Sequence, residues 1–389
     1  MSKVTLPNEM QDSEKGRPLR VLEFYSGIGG MHYSIEQSGI KAKVVGAFDI
    51  NTTANDVYRH NFPQAHLYQR NIEALPLAFY EKQAADMYLM SPPCQPYTRL
   101  GNQQGSLDPR AKSFIYLLDI LGKLTRPPQY ILVENVKGFE CSDSRDLLVD
   151  RLGQYGYNFR EYLLSPLQLG IPNSRLRYYL LAKKAPLDFP DVPEHQGVLQ
   201  YHFPGMDGPS SLDVDGGDRQ GRGEQHPYTL EGTPSIREYL GERMGKGVSE
   251  EIILSTRTIS KYGMLLDIVQ GSSRRSCCFT KGYYHQVEGT GSVLHMHDQV
   301  DVHPMFDRLQ RSITKEGPTD TTEELAQQIR DEAGLRYFTE HEIARLMGFP
   351  DTLEFPEGMN RKQRYRVLGN SLSVDVVSTL LSWMLQDDQ

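Results

Sequence analysis

A chain of 389 residues, 38% of them hydrophobic, carries enough apolar material for one large core or two smaller ones. No unbroken apolar stretch reaches membrane-spanning length, the first 18 residues are polar, and four cysteines without a CxxC spacing argue against a disulfide framework, so reduced thiols in an intracellular protein are expected. The net charge of −8 disfavours indiscriminate nucleic-acid binding but leaves room for a local basic face, because steering depends on how charge is distributed.

Residues 1–18 read as a disordered polar leader. From 19 to 185 the pattern alternates between short apolar runs and amphipathic segments. Strands are predicted at Arg20–Phe24, Lys43–Phe48, Met87–Met90 and Tyr130–Val133, with helices at Gly29–Ser38, Thr53–Asn61, Ser113–Leu124 and Ser144–Tyr155 between or after them. A strand pair near Phe159–Leu164 and Arg177–Ala182 completes the series. This is the signature of βαβ units and a mostly parallel sheet. After Pro186 the composition turns to Gly, Pro, Asp and His, and a flexible insertion is expected over about 195–245. Short apolar runs return over 249–310, a second soft stretch is expected at Thr314–Asp331, and helices follow at Thr339–Met347, Arg361–Val367 and Val374–Leu385.

Several short segments carry chemistry. Phe24-Tyr-Ser-Gly27-Ile28-Gly29-Gly30 follows the first strand and opens a helix, where glycines let the backbone turn tightly and approach a ligand. Asp49 and Ile50 end the second strand, where a carboxylate can take ribose hydroxyls. The spacing is not a clean GxGxxG and makes no demand for a pyrophosphate, so S-adenosylmethionine fits better than NAD; a plain glycine turn with a surface aspartate is the alternative. Ser91-Pro-Pro-Cys94-Gln-Pro96 is a stiff loop after a buried strand, holding one thiol at the edge where open α/β sheets place their ligands. Cysteines that only fill space sit in apolar cores, so Cys94 reads as a nucleophile.

Glu134-Asn-Val136 follows the strand at Tyr130–Val133, at the same sheet edge; a partly desolvated carboxyl there can donate a proton or a hydrogen bond to a ring nitrogen, while a turn acid is the bland reading. Asn173-Ser-Arg175-Leu-Arg177 puts two guanidiniums on one face of a strand, able to hold a carbonyl or phosphate oxygen and to acidify a nearby thiol. Gly369-Asn-Ser371-Leu-Ser373 precedes the last helix and offers either backbone donors to a ligand or an ordinary N-cap.

Taken in order, the Gly loop, Asp49, Pro-Pro-Cys-Gln, Glu-Asn-Val, Arg-x-Arg and Gly-Asn-Ser resemble the motif series of the cytosine-5 methyltransferases, as does Leu335–Pro350 for that family's late motif. The resemblance spans about 20–185 and 335–380. Cys278-Phe279-Thr280, followed by Lys281-Gly and Glu288-Gly-Thr-Gly-Ser-Val293, is similar to the mark of the eukaryotic tRNA cytosine-5 methyltransferases, the group first named as a second type of DNA methyltransferase. The insertion near 195–245 and the long leader depart from the compact pattern without touching the motifs.

The resemblance implies a Rossmann-like α/β methyltransferase sheet at 19–185, a target-recognition domain at 186–334, and a return to the catalytic domain at 335–389. It implies that Cys94 adds to C6 of a flipped cytosine, that Glu134 binds N3 and the exocyclic amine, and that Arg177 and Arg175 hold O2 and keep Cys94 ionised. Phe24, Gly27, Ile28, Gly29, Gly30, Asp49, Ile50, Ile72, Glu73 and Ser371 would line a pocket for S-adenosylmethionine. A loop cytosine in tRNA, around the anticodon of aspartate tRNA by resemblance, costs less to extrude than a duplex base. Arg274, Arg275, Cys278, Phe279, Thr280, Lys281 and the stretch Arg361–Arg366 are the expected substrate contacts. The expected partners are tRNA and, more weakly, DNA; a membrane, a metal and an oligomeric partner are not expected, and the location implied is cytoplasm and nucleus. A DNA cytosine-5 methyltransferase is the alternative, a non-catalytic nucleic-acid binder of the same fold the next.

Overall fold

The computed structural model describes residues 16–93, 111–190, 196–205, 232–241, 249–314 and 317–388. Its centre is an eight-stranded sheet in the order β3-β2-β1-β4-β5-β7-β6-β8. The strands are β1 (Leu19–Phe24), β2 (Ala42–Phe48), β3 (Leu67–Tyr68), β4 (Met87–Met90), β5 (Tyr130–Val136), β6 (Tyr157–Leu164), β7 (Arg177–Lys184) and β8 (Leu199–Gln200). Central strands are apolar on both faces because both faces are covered. Val21, Met87, Leu89, Tyr130, Leu132, Tyr179 and Leu181 point to one core, and Leu22, Phe24, Tyr88, Met90, Ile131, Val133, Tyr178 and Leu180 to the other, following the two-residue alternation of each strand.

Helices α1 (Gly30–Ser38), α2 (Thr52–Asn61) and, from the far end of the chain, α11 (Val374–Leu385) cover the first face. Helices α3 (Leu77–Gln83), α4 (Lys112–Leu121) and α5 (Asp143–Gln154) cover the second. The parallel reading holds for β1 through β5, but β7 runs antiparallel to both β5 and β6. That reversal has a functional result: the start of β7 lies beside the end of β5, with Val136 paired to Arg177.

A second unit contains a three-stranded sheet, β9 (Asp267–Gln270), β10 (Ser292–His295) and β11 (Leu335–Tyr337), with α6 (Thr256–Tyr262), α7 (His303–Ser312) and α8 (Asp320–Ala333). Leu254, Ile259, Val293, Leu309, Ile329 and Leu335 form its own core. Two expectations change here. The soft stretch at Thr314–Asp331 holds α8, which a capping box at Thr319 and Thr322 starts and Gly334 at φ 61° ends; its buried Ala326, Ile329 and Ala333 recur at helical spacing among charges that mask the pattern. Leu335–Tyr337, read as part of the segment returning to the large sheet, is the edge of the small one. Most of the expected insertion lies outside the described residues; the described pieces of it are β8 and a single 3-10 turn at Ile236–Tyr239.

The units are tied at β11. Arg336, 2% exposed, donates to both carboxylate oxygens of Glu342 at 2.8 and 2.7 Å on helix α9 (Glu340–Leu346). Glu342 also accepts the Thr339 backbone N–H, so one carboxylate caps a helix and neutralises a buried cation. Glu342→Ala leaves that cation unpaired and is expected to cost about 3–5 kcal/mol in urea unfolding; a loss below about 1 kcal/mol would show that the pair carries no such load.

Candidate active site

The carboxyl ends of β1, β2, β4 and β5 open into one cavity of about 610 Å³, which the start of β7 and the turn Gly369–Ser371 close from the other side. Its floor begins where β1 stops. The chain leaves Phe24 through Tyr25 at φ 59°, Gly27 at φ 54° and Gly29 at φ 90° before entering α1. Gly29 admits no side chain, since a Cβ would fall 2.5 Å from the Phe62 ring. Asp49 locks this turn: one carboxylate oxygen accepts the Gly27 N–H at 2.9 Å and the other the Asn51 N–H at 2.8 Å. Each oxygen keeps a lone pair for a further donor. Beside it Ile50 is 73% exposed, an apolar side chain presented to the cavity.

The expected cofactor residues Gly27, Asp49, Ile50, Ile72, Glu73 and Ser371 line this cavity. Phe24, Ile28, Gly29 and Gly30 do not. Phe24 is fully buried against Phe48 and Tyr88; the aromatic residue at the cavity is Tyr25, which turns out of the strand at φ 59°. Ile28 is 1% exposed in the core under α1. Gly29 and Gly30 shape the helix entry, and a Cβ on Gly30 would crowd Leu372 and Ser371. Tyr25, Phe48, Asn51, Ser113 and Asn135 join the lining without having been singled out. Of these, Asn135 was within reach of the sequence reading, lying inside the motif already marked.

Asn135 donates to the Pro92 carbonyl at 3.3 Å, and Ser91 donates through its hydroxyl to the Tyr25 carbonyl at 3.1 Å. The Ser91–Pro93 loop is therefore pinned from β5 and from the β1 turn, and Pro92 and Pro93 line the cavity. Cys94, the next residue, lies outside the described residues.

Glu134 belongs to β5 itself and is 8% exposed at the cavity. Burial raises its pKa, against the opposing pull of Arg177 and Arg175; the Arg177 Nε lies 3.7 Å from its carboxylate. Arg177 opens β7 and reaches the Cys278 sulfur at 3.6 Å. Arg175 precedes the strand instead of alternating within it. Its guanidinium, with the residue 3% exposed, reaches the Cys278 sulfur at 3.4 Å, the Phe279 carbonyl at 3.0 Å, the Gly369 carbonyl at 3.4 Å and the Ser371 carbonyl. Burial would raise the Cys278 pKa, but the two arginines outweigh it and bring the thiol below its ordinary value.

Cys278-Phe279-Thr280 thus meets Gly369-Asn370-Ser371 across Arg175, and Gly369 is required because a Cβ there would run into the Thr280–Lys281 peptide. Phe279, expected among the substrate contacts, is 2% exposed and packs edge-on against Tyr283 and Phe338, so its side chain is core. Arg274 donates to the Thr233 carbonyl, Arg275 pairs with Asp267 at 3.2 Å, and both are exposed, as is Lys281. Arg361 and Arg364 turn to Glu340, while Lys362 and Arg366 on the same helix, α10 (Arg361–Gly369), stand exposed.

A glycine turn braced by a carboxylate, an exposed apolar side chain and a cavity at the switch point of an open sheet suit a nucleoside-bearing methyl donor. The fold and cavity are those of an S-adenosylmethionine-dependent methyltransferase. The C-5 cytosine-specific DNA methylase family matches residues 19–386, and the chain belongs to it. It is 43% identical to the tRNA (cytosine(38)-C(5))-methyltransferase of Mus musculus, over 94% of this chain and 93% of the relative. It is 38% identical to the protein of that name from Schizosaccharomyces pombe, over 95% and 97%, and 37% to a Dictyostelium discoideum protein named DNA (cytosine-5)-methyltransferase, over 95% of each. A Spodoptera frugiperda DNMT2 mutant superposes with a TM-score of 0.76 at 36% identity, covering 94% of this chain and 99% of that one.

Beneath the glycine turn lies a buried acid. Glu23 is fully buried, accepts the Tyr58 hydroxyl at 2.9 Å, and burial pushes its pKa up to about 8 from 4.5. A carboxyl with a raised folded-state pKa adds stability that is complete below the unfolded value and lost as pH rises through about 8. Glu23→Gln should therefore melt at a similar temperature to the parent at pH 5 and above it at pH 9; parallel melting curves across that range would show Glu23 does not titrate there.

Proposed function

We propose that this enzyme methylates C5 of a cytosine in tRNA, in the anticodon loop of aspartate tRNA as the family resemblance implies, through a covalent adduct on Cys94. The observation that carries the reading is the convergence of Glu134, Arg177 and the Pro92–Pro93 loop on the cavity that Asp49 and Ile50 also line. Asp49 and Ile50 would hold S-adenosylmethionine in this cavity, and when bound it would supply an electrophilic methyl group. Cytosine C5 is a poor nucleophile, so the protein must first enrich it. The Cys94 thiolate adds to C6, forming an S–C6 bond and leaving C5 enamine-like; once C5 is methylated, its proton leaves and the S–C6 bond breaks, returning the thiolate. Glu134, whose pKa burial raises, donates to N3 in its protonated form and favours the ring that accepts the thiolate. Arg177 takes O2, and Arg175 holds the segments on which Cys278 and Ser371 lie.

Two features favour tRNA over DNA. The Mus musculus and Schizosaccharomyces pombe relatives, matched along nearly their whole length, are named for tRNA, and Cys278-Phe279-Thr280 stands against Arg175 beside the cavity. We assign target recognition to the small unit and phosphate contacts to Arg274, Arg275, Lys281, Lys362 and Arg366, which are exposed despite the acidic total. The DNA reading has one observation of its own, the name of the Dictyostelium relative.

Tritiated-methyl transfer to purified tRNA and duplex DNA in parallel separates them: label is expected in tRNA, and labelled DNA beside unlabelled tRNA would sink the assignment. In the same assay Cys94→Ala should abolish transfer while S-adenosylmethionine binding by calorimetry persists; normal turnover would exclude the adduct. Glu134→Gln, which cannot pass a proton, should lose about 100-fold or more in kcat. Parent activity should fall as pH rises through the raised Glu134 pKa, and a Glu134→Gln enzyme within threefold of the parent would remove that residue from the chemistry.

A further inference from the structure

The small unit has a cavity of its own, of about 600 Å³, that the methyl-transfer chemistry does not use. Met264, Leu266, Ile268 and Phe306 give it apolar walls, and Met264 is 43% exposed. Its polar groups include two carboxylates, two imidazoles, the Gln270 and Gln299 amides and the Ser273 hydroxyl. Asp298 and Asp301 are carboxylate acceptors, and His303 stands exposed on the rim at the start of α7. His295 on β10 is 1% exposed; its Nδ1 meets the Gln270 amide nitrogen at 3.3 Å and its Nε2 has no partner. With the amide donating to Nδ1, the proton sits on Nε2, a buried donor left unused at the cavity wall.

We propose that this cavity receives a second base of the same RNA, a base carrying an exocyclic amine. The proposal rests on the tRNA reading above. Asp298, although paired through one oxygen with Arg237, and Asp301, although one oxygen caps the His303 N–H, each keep an oxygen that can accept from an amino group, and apolar walls that include the Phe306 ring suit a heterocycle removed from its stack. Phosphates have their own place just outside. Ser273 lines this cavity, Cys278 stands at the methyl-transfer site, and between them run the exposed Arg274 and Arg275. Five residues of extended chain span at most about 18 Å, so one strand of RNA can lie over the two arginines with a base in each cavity. Arg237, paired with Asp298 at 2.7 Å, borders the entrance on the other side. The second base fixes which cytosine reaches the first cavity.

The test uses the full chain and a tRNA transcript that it methylates, with single abasic sites scanned through the loop carrying the target cytosine. Gln299 lines the cavity and is exposed, so Gln299→Trp fills the space without disturbing the core. For the parent enzyme, one abasic position other than the target is expected to raise KM about tenfold with kcat little changed. Gln299→Trp should raise KM on intact tRNA to the same degree and add nothing on the transcript abasic at that position. A KM that Gln299→Trp leaves unchanged, or effects that add at every abasic position, overturns the second cavity while leaving the tRNA reading in place. Absence of methyl transfer to any tRNA by the parent overturns both.

Discussion

The site depends on one buried guanidinium. Arg175 binds carbonyls at Phe279, Gly369 and Ser371, which are 104, 194 and 196 residues away in sequence, and no helix or strand pairing brings those segments together otherwise among the described residues. Burying a cation is costly, and the backbone oxygens and the Cys278 sulfur offset that cost only if all are in place. A planar fork of donors suits several acceptors in one plane, which a lysine ammonium does not. The residue therefore organises the site: it ties the turn bearing Ser371 to the loop bearing Cys278, a loop that Pro172, Asn173 and Ser174 also hold through Ser276 and Cys277.

The same guanidinium, with Arg177, shapes the electrostatics. Glu134 and Cys278 both lie near two cations in a water-poor pocket, yet they shift in the sense that opposes a shared fate. Burial wins at the carboxyl and raises its pKa, while the arginines win at the thiol and lower it. Burial, acting against both arginines, is what favours the proton-donor form of Glu134. Groups whose environments push their pKa values apart are the usual mark of an acid and a base in one site.

Much of the fold was legible because its signals are local. The strands β1, β2 and β4, the glycine turn and the final helix stand within a residue or two of their expected positions, and the prolines after β4 marked the Ser91–Pro93 segment that lines the cavity. The shortfalls were non-local or hidden from a plain periodicity. Tyr25, at φ 59° just past the end of β1, meets the cavity where Phe24 inside the strand does not, a turn geometry that strand alternation does not foretell. The antiparallel turn of β7, which delivers Arg177 to the end of β5, depends on long-range pairing. Helix α8 was missed because charged side chains surround its narrow apolar stripe. Arg175 read as a second catalytic cation, since nothing in its own neighbourhood announces partners so far along the chain.

The chemistry turns on which thiol attacks the base. Cys94 is the proposed nucleophile, yet Cys278 is the thiol that lies 3.4 and 3.6 Å from the two arginines. An RNA substrate with 5-fluorocytosine at the target blocks loss of the C5 substituent and leaves the enzyme bonded to C6. Mass spectrometry of the digested adduct should find the nucleoside on the peptide containing Cys94; its appearance on the peptide containing Cys278 would contradict the mechanism.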